Sequence, residues 1–306
     1  GQVNSVRGLR VEGPEYETAA MIGSNCALNS IEEVVEANHL CDQLGLDTIS
    51  AGNIAAFAME CYDKGILDKK ATGGLELSFG NFDALKSLLQ MIAYGKGLGI
   101  LLGEGVAHAS RTLGRGSERF AMHVKGLEIS GYDVRASPSM ALAYATADIG
   151  AHHNRAWAIT YDVNSDRSTY TEDKAKWVIY LQHLRPLFDC LGVCRFPWVE
   201  FGLDPAYYAR FYQAATGVNA SLDELLNRSE AIWNLTRLIN LRQGMKPGAD
   251  WLPDRVFDDP IPSGPLKGAV LDRVRFKELL GRYYELRGWD LQGVPTESRL
   301  RELGLR

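Results

Sequence analysis

A six-residue pattern that ends a helix occurs twice in this chain, and it limits the fold more than any compositional figure. Asp42-Gln43-Leu44-Gly45-Leu46-Asp47 and Asp189-Cys190-Leu191-Gly192-Val193-Cys194 share the form D-x-L-G-[LV]-[DC]. The first follows apolar residues at helical spacing: Ile31, Val34, Val35, Cys41 and Leu44. A glycine directly after the last apolar position is a helix stop, because glycine enters the left-handed region without a Cβ penalty. Repetition of the turn predicts two similarly built helical halves, each presenting one loop to a common object.

Helix start signals agree with that reading. Ser30-Ile31-Glu32-Glu33 and Ser221-Leu222-Asp223-Glu224 both have capping-box form. Asn81 opens a helix through Leu85, Leu88, Leu89 and Ile92, and Asp272 opens the last long helix, which ends at Gly288. Ser137-Pro138 and Asp204-Pro205 pair an N-cap with a proline at the first helical position, and Gly150 is expected to close the former segment. Strand patterns are scarce, with Ala156 to Tyr161 the best candidate. The fold class is therefore mainly α, divided into residues 1–122 and 123–306. Lys246 to Lys267, rich in proline and aspartate, reads as an irregular surface connection.

Composition excludes several classes of function. With 306 residues, 46% of them hydrophobic and 23% charged, the chain is long enough to bury a large core. Its net charge is −5 and its Lys and Arg are scattered, so no nucleic-acid partner is expected. The apolar stretch from Leu88 to Val106 is broken by Lys96, Glu104 and glycines, so no membrane insertion is expected either. Five cysteines without scaffold spacing suit a reducing, cytoplasmic compartment. Cys26, Cys41, Cys61 and Cys190 read as packing residues. The first residue is Gly1 rather than Met, which fits a processed chain or part of a larger system.

Further segments carry a resemblance. These are Gly13-Pro14-Glu15-Tyr16-Glu17-Thr18, Val124-Lys125-Gly126-Leu127-Glu128 running on to Tyr132-Asp133-Val134-Arg135-Ala136, and Gly150-Ala151-His152-His153. Asn240-Leu241-Arg242-Gln243-Gly244, Leu252-Pro253-Asp254-Arg255 and Tyr283 to Asp290 follow in order. With the two turns, they make the whole chain resemble the tungsten-dependent aldehyde:ferredoxin oxidoreductase family. The resemblance implies two helical halves flanking a cofactor site. There a tungsten or molybdenum ion is held by the dithiolenes of two pyranopterins beside a [4Fe-4S] cluster.

On this resemblance Asp42, Gly45, Leu46 and Asp47 would embrace one pterin, and Asp189, Gly192 and Val193 the other. Cys194 would be a cluster ligand. Glu17 and His153 would be the ionisable pair beside the metal, with Glu15 and His152 the neighbours most easily confused with them. The residue types suit those tasks: carboxylates accept charge-assisted bonds from pterin N–H groups, and cluster iron takes thiolates. The implied activity is oxidation of a small aldehyde to a carboxylic acid, with electrons leaving through the cluster to ferredoxin or another electron-transfer subunit.

The chain departs from the family in one large respect. It holds neither the family's N-terminal domain nor the C-x-x-C-x-x-x-C motif that provides the other three cluster cysteines. The expectation is that such a domain or a separate subunit completes the site. Two other readings stand beside this one: the tungsten subunit of an enzyme like the aromatic acyl-CoA reductases, and a non-catalytic scaffold derived from the family. Taken alone, each aspartate is a helix-end carboxylate, Cys194 a packing thiol and His153 a structural histidine.

Overall fold

The computed structural model describes residues 3–6, 8–199 and 201–306. Helices of nine residues or more are α1 (Ile31–Leu44), α2 (Thr48–Asp63), α3 (Phe82–Ala93), α4 (Pro138–Thr146), α5 (Glu172–Leu191), α6 (Ala206–Thr216), α7 (Leu222–Arg242) and α8 (Arg273–Arg287). Sheet is confined, among the described residues, to two antiparallel pairs: Val3–Val6 with Leu9–Glu12, and His123–Val124 with Leu127–Glu128. The mainly α expectation holds. No helix among the described residues is long and apolar enough to cross a membrane.

The chain divides into two compact units. The first comprises Gly1–Asp133, Ile149–His152 and Leu252–Asp259. Its centre is α2, whose residues 51 to 59 are all buried. A helix apolar on every face belongs in the middle of a core, and the small residues Ala51, Gly52, Ala55, Ala56 and Ala58 let neighbours pack closely around it. Ile54, Phe57, Met59, Leu85, Leu88 and Leu102 fill the same core, each contributing roughly 1.5–3 kcal/mol on burial. Arg255 ties its segment to α2 by a two-pronged bond to the Glu60 carboxylate, 2.9 and 2.5 Å.

The second unit comprises Val134–Asp148, His153–Trp251 and Pro260–Arg306. All nine residues of α4 are buried, and α5 packs against α7 and α8. Gln182 of α5 donates to Thr146 (2.9 Å) and accepts from Tyr283 and Arg287, both at 2.7 Å. Those bonds satisfy polar groups that would otherwise be costly inside the unit. Pro186 lies within α5, which nevertheless continues to Leu191.

Several local expectations need correction. Ala156 to Tyr161 is no strand: it leads into the short helix Ile159–Asn164, fixed by Asp162. That buried carboxylate accepts from Ser139 N–H (2.9 Å), Met140 N–H (3.2 Å) and Lys174 (2.7 Å), long-range partners that override the local alternation. Ser30 does not close a capping box; its hydroxyl donates to Glu32 at 2.6 Å instead. The Ser221 box forms in full. Helix α4 ends at Thr146, short of Gly150. The stretch from Lys246 to Lys267 is not all surface, because Asp250 is buried against Arg237 at 2.9 and 2.7 Å, and Leu252, Val256 and Phe257 are buried too. Cys190 is exposed, contrary to its reading as a packing residue.

Candidate active site

The two repeated turns have the same backbone geometry. Gly45 ends α1 at φ 68°, its N–H bonded to the Asp42 carbonyl, while Leu46 N–H reaches the Cys41 carbonyl at 2.9 Å. Gly192 ends α5 at φ 64°, its N–H bonded to the Asp189 carbonyl, while Val193 N–H reaches the Phe188 carbonyl at 3.0 Å. This is the bonding of a Schellman stop, and it explains why both turns carry glycine at that position. A Cβ there would meet no protein atom within 4 Å, so φ rather than crowding makes the demand.

In the first unit the turn leads straight into α2. Asp47 caps that helix, its Oδ2 accepting Ser50 N–H at 2.8 Å. Asp42 Oδ2 accepts from Asn38 at 3.2 Å. Both aspartates are exposed, and the other oxygen of each has no donor among the described residues.

Glu17 belongs to the short helix Tyr16–Thr18, which continues as a π-helical turn over Ala19–Ser24. It is 8% exposed, and its Oε2 accepts Gly131 N–H at 2.7 Å. Tyr16 donates to the Gly131 carbonyl at 2.8 Å and stacks on Tyr132 at 5.0 Å, so both residues are pinned to one strand of chain. Burial pushes the Glu17 carboxyl above its usual range, the Gly131 N–H opposes that rise, and the charges of Asp47 and Glu15 add to it. The Thr18 and Thr48 hydroxyls meet at 2.9 Å, joining the Glu17 helix to the start of α2. The structure thus brings Glu17 and Asp47 into one electrostatic neighbourhood.

In the second unit His153 begins a 3₁₀ turn, His153–Arg155, and lies edge-on to Trp157 with ring centroids 5.9 Å apart. His153 is buried, whereas His152 is half-buried and belongs to the first unit. Arg155 links the histidine turn to the repeated turn, a role that spacing along the chain could not reveal. Its guanidinium grips Asp148 at 2.8 and 2.7 Å and reaches Asp189 at 3.0 Å. Arg185, one helical turn before Asp189, holds its other oxygen at 3.0 Å. Asp189 is therefore held between two guanidinium groups, unlike its counterpart Asp42.

The donor set suits the groups that the family resemblance implies. Two exposed turns of equal geometry, each with a carboxylate at its base, suit a pair of N–H-rich heterocycles. The cluster needs more than this chain describes. Cys194 is exposed, but Cys26, Cys41 and Cys61 are buried in the first unit, where burial pushes their thiols up to about 12. Such thiols are inert packing groups. Among the described residues no group of three or more His, Cys, Asp or Glu can hold a metal.

Comparison with known proteins identifies the family. Residues 1–305 match the family model described as aldehyde ferredoxin oxidoreductase, domains 2 and 3. A tungsten-containing aldehyde ferredoxin oxidoreductase of Thermococcus kodakarensis is 39% identical over all of this chain and 51% of its own length. An aliphatic sulfonate oxidoreductase, WOR-like subunit, of Pyrococcus furiosus is 31% identical over 98% of this chain and 47% of its own length. The active site complex BamBC of benzoyl coenzyme A reductase matches in fold with a TM-score of 0.78 at 22% identity, over 99% of this chain and 50% of that one. The chain spans about half the length of the curated relatives it matches. It belongs to the aldehyde ferredoxin oxidoreductase family, matching that family's domains 2 and 3.

Proposed function

We propose that this chain forms one side of a tungsten–pterin active site that oxidises a small aldehyde to its carboxylic acid. The observation that carries the reading is the pair of matched turns at Gly45 and Gly192, each exposed and each with an aspartate at its base. Asp42, Gly45, Leu46 and Asp47 would hold one pterin, and Asp189, Gly192 and Val193 the other, so the halves 1–122 and 123–306 each supply one turn. The metal is tungsten, or molybdenum in the same sulfur environment. When bound, the metal–pterin group would supply two-electron redox chemistry, with a [4Fe-4S] cluster as the one-electron outlet.

The protein's own groups handle protons and orientation. Aldehyde and water give the acid, two protons and two electrons. Glu17 Oε2 accepts the Gly131 N–H at 2.7 Å, which holds the carboxyl in place to exchange the reaction's proton. Its raised pKa brings that exchange nearer neutral pH. The His153 ring, edge-on to Trp157, polarises the carbonyl or takes the second proton. Arg155 orients Asp189 relative to the histidine turn.

Cys194 would be one cluster ligand, and a domain or subunit carrying C-x-x-C-x-x-x-C would supply the rest. Ferredoxin or an electron-transfer subunit would accept the electrons, in the cytoplasm. The fold shared with a benzoyl coenzyme A reductase complex supports a second reading, reduction of an aromatic acyl-CoA. Parallel assays of aldehyde oxidation and benzoyl-CoA reduction on the intact, anaerobically purified protein decide between them. Loss of both activities in a preparation without metal would favour the scaffold reading.

A further inference from the structure

Helix α5 and the short helix Phe196–Val199 that follows its turn border a narrow cleft whose lining belongs wholly to the second unit. Counted out to its solvent mouth, the cleft holds about 260 Å³. Its walls are the rings of Trp157, Phe188 and Trp198 and the side chains of Leu181 and Leu184, with Arg185 among them. The Phe188 and Trp198 rings pack 5.9 Å apart. Leu181, Leu184 and Phe188 are buried, whereas both tryptophans are half-buried. Walls that are mostly apolar and aromatic, with few polar groups, are the composition of a small-molecule site.

The cleft is anchored at both ends in the candidate active site. Trp157 meets the His153 ring edge-on at 5.9 Å, and the Phe188 carbonyl takes the Val193 N–H of the second turn. Arg185 holds Asp189 at 3.0 Å through one nitrogen. Its Nε is buried and has no acceptor among the described residues. Buried donors in native proteins nearly always have a partner, and one without calls for an acceptor. A guanidinium takes a carboxylate best of all, since both partners are charged.

We propose that this cleft seats the substrate's side chain and selects an aryl aldehyde, with the Arg185 guanidinium as donor to the carboxylate of the aryl acid formed. The inference rests on the aldehyde-oxidising reading of the site and adds the substrate class to it. Aldehyde and acid share the ring, which the aromatic walls receive. The acid adds the charge that Arg185 meets. An alkyl chain of two carbons would leave most of those walls in contact with water.

The test uses the intact protein, purified without oxygen. Calorimetry measures the binding of benzoate, acetate and neutral benzyl alcohol, and kcat/KM is compared for benzaldehyde and acetaldehyde. The variants are Val199→Trp, which narrows the cleft from its wall, Trp198→Ala, which removes a ring, and Arg185→Met. Benzoate is expected to bind the wild type at least about tenfold more tightly than acetate, the scale on which an apolar pocket discriminates. Val199→Trp and Trp198→Ala are expected to weaken benzoate and benzyl alcohol alike, and to lower the benzaldehyde-to-acetaldehyde ratio of kcat/KM about tenfold. Arg185→Met is expected to weaken benzoate far more than benzyl alcohol, a split that a purely structural arginine would not produce. Benzoate bound no better than acetate, or the same benzoate affinity and aldehyde ratio in the folded cleft variants as in the wild type, overturns the proposal. Should Val199→Trp fail to fold, Trp198→Ala decides on the same readouts. A wild type that oxidises neither aldehyde overturns the aldehyde reading instead, and the cleft as an aryl-acid site is then decided by the benzoate affinities alone.

Discussion

Glu17 is a candidate site residue that burial and charge shape together. Its carboxyl is raised by burial and by the charges of Asp47 and Glu15, against the Gly131 N–H. The folded chain therefore holds a proton that the unfolded chain releases near pH 4.3. Stability from this group is present below the unfolded pKa and is lost as pH rises through the folded one. Glu17→Gln, which cannot ionise, is expected to melt higher than the parent at pH 7, with the difference shrinking toward pH 4. Thermal melts across that range check it, and a constant difference would contradict it. If Glu17 also moves the reaction's proton, the same variant loses about 10²–10⁴-fold in aldehyde oxidation. Arg155 is the other residue of note here. Arg155→Met keeps most of the side-chain volume but removes the fork joining Asp148 to Asp189. Pterin content measured per chain is expected to fall while secondary structure is kept.

At the level of elements, α2 carries both a cap and a candidate ligand in Asp47, and two substitutions separate the roles. Asp47→Ala loses the bond to Ser50 N–H and is expected to cost about 1 kcal/mol. Asp47→Ser keeps a capping oxygen, so its stability in urea stays near the parent's, yet pterin retention falls in both. Equal pterin content in parent and Asp47→Ser would limit the residue to capping. Gly52 marks a very close approach in the unit: a Cβ there would stand 2.4 Å from the Met21 carbonyl. Gly52→Ala must push α2 away from the π-helical turn that follows Glu17, with an expected cost of roughly 1–3 kcal/mol in urea unfolding. The elements most legible in the sequence were those with local signals. Asn81, Asp272 and Ser221 cap where their spacing predicts, and Gly45 and Gly192 stop their helices. Elements fixed by distant partners were not legible. The helix Ile159–Asn164 depends on Ser139 and Lys174; the hairpin Val3–Val6 with Leu9–Glu12 was missed for another reason, its strands being only four residues each.

For the whole molecule, both candidate turns were readable because the helix stop is written in consecutive residues. The Arg155 bridge was not, since Asp148 and Asp189 become its neighbours only after folding. The chain spans about half the length of the relatives it matches, and its described residues offer one exposed thiol in a candidate cluster position. If Cys194 ligates a [4Fe-4S] cluster as proposed, three further thiolates must come from elsewhere, and mass spectrometry of the natively purified complex is then expected to find a polypeptide or a longer chain that carries them. The most direct test of the central claim is the tungsten, molybdenum, iron and pterin content of that complex, isolated intact without oxygen. The account predicts two pterins for each tungsten or molybdenum and about four irons, with the pterin falling when Asp42 or Asp189 is replaced by alanine. Metal-free protein without pterin, or full pterin in both variants, would contradict it.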